Sequence, residues 1–378
     1  MEALTLSSLR SVPLRDRGLF NLMFFLQHYF PENESIRSTK EASRQRAAAH
    51  VRRGGPGKVV PVDRVPNTIS PEDFRRRYLS KGVPCIIENG IAGWPRQKNW
   101  TFDNFISKFG ESTIKLTQRK GLSDDDWVDE TEYTEEVVFG DFLRNVLANG
   151  RTYMRFAPLL EQFPELLDDF DQGFFRRMTG HTWGLTYQLF IGGKGSYTPL
   201  HNAITPFFFA NACGTKRWAL IPCKYLPLIN PSTDGFGYNH SEAQVTGKID
   251  DRFPGFESID RMEAVLQPGD VYFNPPWMWH AVENDSPTIG VRCGFVHPKG
   301  MVAASVTLTM TRIFAARNPS LFEAFRHSLS AHGLKLKDVL TLSPKLLETM
   351  TTRLYTKPVK PGDRERSLES SSTPARVE

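Results

Sequence analysis

The chain has 378 residues, 40% of them hydrophobic, with 27 Phe and a net charge of +5. That composition belongs to a folded protein with one large core or two modest ones, and it excludes a chain that is disordered throughout. Its four cysteines, Cys85, Cys213, Cys223 and Cys293, form no C-x-x-C pair, which argues against a disulfide scaffold or a Cys-type zinc site and points to an intracellular, reducing compartment such as cytoplasm or nucleus.

No apolar stretch is long enough to cross a bilayer. Glu2, Arg10, Arg15, Asp16 and Arg17 do not make the basic-then-apolar layout of a secretory signal, and organelle targeting stays open. Residues 1–60 read as a helical and basic extension. Gly18 to Phe30 is short and apolar, like a packed helix. Arg37 to Lys58 carries seven Lys or Arg and one acid, Glu41. With no aromatic residue in that run to stack on bases, it reads as a solvated linker and not as a nucleic-acid surface. Arg53-Gly54-Gly55-Pro56-Gly57 marks a boundary.

Ser70-Pro71-Glu72-Asp73 predicts a helix start, with an N-cap, a first-turn proline and acids. The helix ends by Gly82, and Val83 to Ile87 follows as a buried strand. Thr101-Phe102-Asp103-Asn104 opens a second helix that closes near Gly110. A third covers about Phe139 to Leu147, before a strand at Thr152 to Phe156.

From Trp183 the texture changes. Trp183, Leu185, Tyr187, Leu189 and Ile191 alternate with Gly184, Thr186, Gln188 and Phe190, the period of a half-buried strand. Phe207 to Ala212 and Lys216 to Ile221 flank Cys213-Gly214-Thr215 and read as a tight hairpin. Further strands are predicted at Val271 to Asn274, Trp277 to Asn284 and Thr288 to Phe295. Many short strands with frequent turns predict an antiparallel barrel or sandwich. The core should lie at about 183–298 within a domain of 61–298. A helical segment at 299–355 and a disordered tail at 356–378 complete the expected organisation. No internal repeat is apparent.

Two stretches carry the chemistry. Ser196-Tyr197-Thr198-Pro199-Leu200-His201 leads, fifteen residues after the histidine, to Lys216 in Gly214-Thr215-Lys216-Arg217-Trp218. Leu266-Gln267-Pro268-Gly269-Asp270-Val271 leads to Pro275-Pro276-Trp277-Met278-Trp279-His280. Two histidines from separate strands of one barrel can converge on a metal, and a nearby lysine can hold a carboxylate as a point charge. Each residue alone is weak; the spacing and the turns between them carry the signal.

In these residues the chain resembles the Jumonji-C family, in particular its small cupin-like hydroxylases. The likeness runs through Thr198, Pro199, His201, Gly214, Lys216, Arg217, Trp218, Pro268, Gly269, Asp270, Pro275, His280, Val282 and Asn284, and takes in Val83 to Gly90, Gly93-Trp94-Pro95 and Phe163-Pro164-Glu165. It implies a mainly β chain with flanking helices, folded as a double-stranded β-helix of the jelly-roll or cupin type. It implies Fe(II) on His201 and His280, and 2-oxoglutarate held by Lys216 and Thr198, with Tyr187 as a further pocket residue. The implied function is an iron- and 2-oxoglutarate-dependent oxidoreductase acting on an unactivated C–H bond. It also implies a homodimer through C-terminal helices between Ala303 and Leu354.

One position departs from the pattern. The family has Asp or Glu two residues after the first histidine, and here His201-Asn202-Ala203 puts alanine there. Three readings stay open. Chloride or water fills the vacancy, as in the radical halogenases that resemble this arrangement; the chain is a catalytically inactive binding protein; or another carboxylate substitutes. Glu242, in His240-Ser241-Glu242, reads as surface loop, Asp270 as a turn residue, and Glu283 as facing the other side of its strand. Phe207, Phe208 and Phe209 include two residues for one face, and Arg292 is a candidate to face the pocket. A histone hydroxylase or demethylase is a weaker alternative, since no zinc-binding Cys/His cluster accompanies the barrel.

Overall fold

A computed structural model describes residues 6–116, 135–149, 152–154, 159–180, 185–233, 240–245 and 250–314. Trp183, Gly184, the segment from 315 and the tail at 356–378 lie outside the described residues, as does the greater part of the expected dimer-forming segment.

Helix α1 (Leu14–Gln27) and helix α2 (Glu34–Arg52) come first. The strands follow as β1 (Val59–Pro61), β2 (Asp63–Pro66), β3 (Cys85–Glu88), β4 (Thr113–Leu116), β5 (Glu135–Val138), β6 (Tyr153–Met154) and β7 (Thr186–Gly192). The remainder are β8 (Tyr197–Asn202), β9 (Phe207–Cys213), β10 (Lys216–Ile221), β11 (Arg261–Leu266), β12 (Val271–Asn274), β13 (Trp279–Asn284) and β14 (Thr288–Gly294). Strands β7 to β14 wind between two sheets, changing sheet at each step except from β10 to β11, which pair with each other. One sheet runs β1-β11-β10-β13-β8 and the other β2-β3-β12-β9-β14-β7-β6. This is the expected double-stranded β-helix, extended on each sheet by a parallel N-terminal strand.

Three apolar clusters fill the layers. Phe190, Phe207, Phe209, Trp218, Leu220, Tyr272 and Val282 pack between the sheets. Leu189, Ile191, Phe208, Val291 and Cys293 face outward from the longer sheet, against Phe74, Trp94, Trp100 and Phe175 of the preceding helices and turns. Strand alternation sends Phe207 and Phe209 inward and Phe208 outward, as the two-to-one split requires. The starts of the first two domain helices are capped as expected. Ser70 accepts from Asp73 N, and Thr101 from Asn104 N.

Two expectations need correction. The basic run is no solvated linker, because most of it is helix α2, whose Ala47, Ala48 and Val51 pack against the outer face of the shorter sheet together with Phe20 and Phe24. Its charges are occupied within the fold. Arg46 pairs with Asp16 at 2.7 Å, Arg52 with Glu257 at 2.6 Å, and the buried Arg44 with Glu41 at 3.1 Å. The small residues on one helical stripe outweigh the polar average of the run. The second correction concerns Cys213-Gly214-Thr215. β9 and β10 do not pair with each other; β9 pairs with β12 and β14, and β10 with β11 and β13. The turn carries the chain from one sheet to the other, because residues on both sides have an inward apolar face to bury.

Gly214 sits in that turn at φ +74°, and a Cβ there would fall 1.9 Å from the Pro287 carbonyl oxygen. Substituting Gly214→Ala is expected to destabilise the chain by about 1–3 kcal/mol or more through the left-handed backbone and the overlap. Thermal unfolding checks this: an unchanged midpoint would show that the turn relaxes freely.

Candidate active site

The candidate site lies inside the barrel on the three adjacent strands β8, β13 and β10. In their register His201 stands opposite His280, Val282 opposite Thr198, and Lys216 opposite Asn284. A bulge lies between His280 and Val282, where two steps on β13 match three on β8. Three regular steps along a strand would turn Thr198 and His201 to opposite faces; the bulge turns both to the interior.

The two imidazole rings lie side by side, with centroids 4.1 Å apart and planes at 57°. Each Nδ1 sits 2.8 Å from the carbonyl oxygen two residues earlier, Pro199 for His201 and Met278 for His280. A carbonyl only accepts, so each Nδ1 carries the proton and each Nε2 carries the lone pair. Backbone anchoring of this kind orients imidazoles for metal binding. Burial, reinforced by the neighbouring His201 and Arg292, holds His280 well below the ordinary imidazole value, so it is neutral.

Deeper in the barrel Lys216 is 1% exposed. Its ammonium donates to the Tyr153 hydroxyl at 3.2 Å and lies 4.7 Å from the Phe209 ring centroid. Asn284 donates through Nδ2 to Ser196 Oγ at 2.8 Å, and its buried Oδ1 has no hydrogen-bond partner among the described residues. Gly192 leaves the space between these groups: a Cβ would lie 2.3 Å from the Tyr153 ring and 2.5 Å from Asn284 Nδ2. Thr198 is buried on the same interior face. A buried ammonium with a phenol, an amide and hydroxyls around it suits a small carboxylate. Tyr153 and Asn284 join the site through tertiary contact. Asn284 stood within a motif, whereas Tyr153 had only a predicted strand to recommend it.

Tyr187 does not belong to this pocket. Its ring packs 5.0 Å from Phe170 and 6.0 Å from Phe175, on the outer face of the longer sheet. Alternation on β7 turns Gln188 and Phe190 inward, and Tyr187 away.

Ala203 follows β8 and packs against the interior cluster. Its carbonyl accepts from Trp277 N at 2.8 Å. Trp277 has the left-handed φ of +58°, unusual for a bulky residue. It is pinned further by Nε1 donating to Thr309 Oγ1 at 2.9 Å and by its carbonyl accepting from Cys223 Sγ at 2.7 Å. None of the three alternative acids replaces the missing carboxylate. Glu242 is exposed and paired with Arg252, Asp270 accepts from Gln267 N in its turn, and Glu283 lies opposite Tyr197 and Arg217 on the outward face. Among the described residues no cluster of three or more His, Cys, Asp or Glu is arranged to hold a metal. Among the described residues the donor set is therefore two imidazole Nε2 atoms, which suits a borderline divalent ion such as iron(II), with no third protein ligand arranged beside them. One histidine was misjudged from sequence. His240, expected in a surface loop, forms an isolated antiparallel bridge with His201, and the two rings stack at 6.2 Å.

Residues 71–299 match the Cupin-like domain family. The chain belongs to that family. It is 26% identical over 229 residues to Lysine-specific demethylase JMJ30 of Arabidopsis thaliana, covering 59% of this chain and 52% of the relative. It is 26% identical over 214 residues to Lysine-specific demethylase 8 of Xenopus tropicalis, covering 56% and 47%. HSPB1-associated protein 1 of Bos taurus is 25% identical over 248 residues, covering 58% and 49%. The chain thus spans about half the length of these relatives. The cupin-like JmjC domains among which it falls generally use iron(II) and 2-oxoglutarate. No described helix is long and apolar enough to cross a membrane.

The neutral state of His280 has a consequence for stability. A histidine with a lowered folded pKa takes up its proton more readily in the unfolded chain, so stability falls as pH drops below the unfolded value of about 6.5. The metal-free chain is expected to lose thermal stability from about pH 6.5 downward, and His280→Gln to flatten that slope. Equal slopes in melts of the two chains across this range would assign the loss to other groups.

Proposed function

We propose that this chain is an iron(II)/2-oxoglutarate-dependent oxidoreductase whose metal rests on His201 and His280 without a protein carboxylate. The observation that carries this reading is the facing pair of imidazoles, each locked by its own strand into the Nε2-ligand tautomer, above a buried lysine on the adjacent strand. His201 and His280 would hold the ion. Lys216, with Tyr153 and Thr198, would take the distal carboxylate of the co-substrate and set its orientation. When bound, iron and co-substrate supply oxygen activation for attack on a C–H bond.

Ala203 sets what is unusual about the site. Its methyl cannot ligate, so an exogenous ligand would take the place beside the metal. Chloride there would make the protein a radical halogenase; water would make it a hydroxylase. The missing carboxylate also favours a second reading, a non-catalytic binding module that retains the barrel. The relatives named lysine-specific demethylases make protein demethylation a further possibility for the same oxidative chemistry.

Titration of iron(II) and 2-oxoglutarate into the chain without oxygen is expected to produce the visible charge-transfer band of the chelate, and chloride to shift it. Lys216→Ala should weaken 2-oxoglutarate about ten- to a hundredfold, the worth of a charge-assisted hydrogen bond. No band and no 2-oxoglutarate binding in the unaltered chain would leave the binding-module reading standing. A band indifferent to chloride would remove halogenation. Ala203→Asp separates the cases further: a gain in iron affinity together with 2-oxoglutarate turnover absent from the unaltered chain would mark a site silenced by ligand loss.

A further inference from the structure

One short turn ties together the two strands that carry the histidines. On β13, Trp279 stands opposite Asn202 and His280 opposite His201. Just before β13, Trp277 N donates to the Ala203 carbonyl at 2.8 Å, which fixes the end of β8 two residues beyond His201. The next residue anchors the other ring, since the Met278 carbonyl accepts from His280 Nδ1 at 2.8 Å. Trp277 holds this place at φ +58°, a left-handed conformation that a bulky side chain resists. Its other bonds keep it there. The Trp277 carbonyl accepts from Cys223 Sγ at 2.7 Å, and burial pushes that thiol up, so it carries the proton it donates. The fully buried indole donates through Nε1 to Thr309 Oγ1 at 2.9 Å. Thr309 gives its own hydroxyl proton to the Met301 carbonyl at 3.0 Å, which leaves a lone pair for the indole. Met301 and Thr309 belong to the helices Pro298–Ala304 and Val306–Phe314. Both residues lie beyond 299, where the family match ends.

We propose that Trp277 is a positioning residue for the histidine pair, and that Thr309 sets it from the C-terminal helix. The inference rests on the reading of His201 and His280 as the metal pair and adds the residues that hold the pair in register. A tryptophan released from φ +58° falls back to a negative φ, and the chain after it, including the Met278 carbonyl, swings relative to Ala203. Loss of the Thr309 hydroxyl supplies that release. It leaves the indole N–H buried without its acceptor, at the cost of an unsatisfied donor, and the ring moves to find another. Ring and backbone of Trp277 meet at one Cα, so the movement passes to Ala203 on one side and to the anchor of His280 on the other. The register of the pair matters more here than in a site with a carboxylate. With alanine at position 203, no acid two residues after His201 holds the ion while an imidazole shifts. A loss of alignment between the two rings is then felt directly as lost affinity.

The test compares the unaltered full chain with Thr309→Val, which keeps the shape and removes the hydroxyl, and Thr309→Ser, which keeps the hydroxyl. Trp277→Phe removes the other end of the same bond. Cobalt(II) alone, a coloured stand-in for iron(II), is titrated without oxygen and followed by its visible d–d bands. The metal-free chains, labelled with heavy nitrogen at histidine, report the imidazoles of His201 and His280 by NMR. Thr309→Val and Trp277→Phe are expected to weaken cobalt(II) about tenfold, the low end of what losing a ligand's outer support costs. Both should alter the d–d bands and shift the His280 Nδ1 signal of the metal-free chain, and Thr309→Ser should keep the unaltered values. The two changes combined should cost no more than either alone. Leu308→Ala, which cuts a fully buried side chain from the same helix, should lower the unfolding temperature and leave cobalt(II) affinity unchanged. The proposal is overturned if Thr309→Val and Trp277→Phe leave the histidine signals where they were, or leave cobalt(II) affinity unchanged in a chain that binds it. It is overturned equally if serine does not restore them, or if Leu308→Ala moves signals and affinity as far. An unaltered chain that binds no cobalt(II) fails the metal reading instead. Shifted histidine signals in the metal-free variants then still support the hold of Thr309 on the imidazole pair, and unshifted ones overturn it.

Discussion

The site depends on one irregularity in one strand pair. The bulge where β8 meets β13 lets Thr198 and His201 face the barrel interior together, although they are an odd number of residues apart. Register then does the rest. His280 is brought opposite His201, and β10, pairing with β13 on its other edge, carries Lys216 into the same chamber. A regular ladder would have kept either the histidine or the threonine and lost the other to the outer face.

Electrostatics make the chamber unusual for its family. A carboxylate two residues after His201 would bring one negative charge to the ion; Ala203 brings none, while the Lys216 ammonium is buried in the same interior. His280 is kept neutral by burial and by the neighbouring His201, and the tautomers of both imidazoles are set by carbonyls of their own strands. A buried ammonium of this kind favours a carboxylate as its partner. The strained Trp277, tied to Ala203, Cys223 and Thr309, holds the turn before His280 in place.

The helices support this arrangement from outside. The hairpin of α1 and α2 covers the outer face of the shorter sheet, directly behind Trp277, Trp279 and Ala281. The helices and turns between β3 and β7 cover the longer sheet with interlocked aromatic rings, among them those of Trp94, Trp100 and Phe170 in the turns, at 5.2–6.1 Å. Both sheets thereby bury apolar residues on both faces, so their registers are strongly specified.

Much of this was legible in the sequence. The Ser70 and Thr101 caps, the alternation through β7 and the strands at Lys216 to Ile221 and Val271 to Asn274 follow from local rules of capping and period. His201, Lys216 and His280, and Ala203 in the place of an acid, are singled out by the resemblance of their motifs to a known family. What local rules could not decide is which of two faces, or which of two sheets, a residue joins. Tyr187 has the pattern of a pocket residue and lies on the outer face. Gly214 reads as a hairpin turn and is a crossing between sheets. His240 and Tyr153 reach the site from segments with no motif, and the basic run is recruited as a packed helix by three small residues. Period and propensity act over a few residues, whereas sheet pairing and the bulge are settled by burying apolar surface from distant segments at once, and only the tertiary structure carries that information.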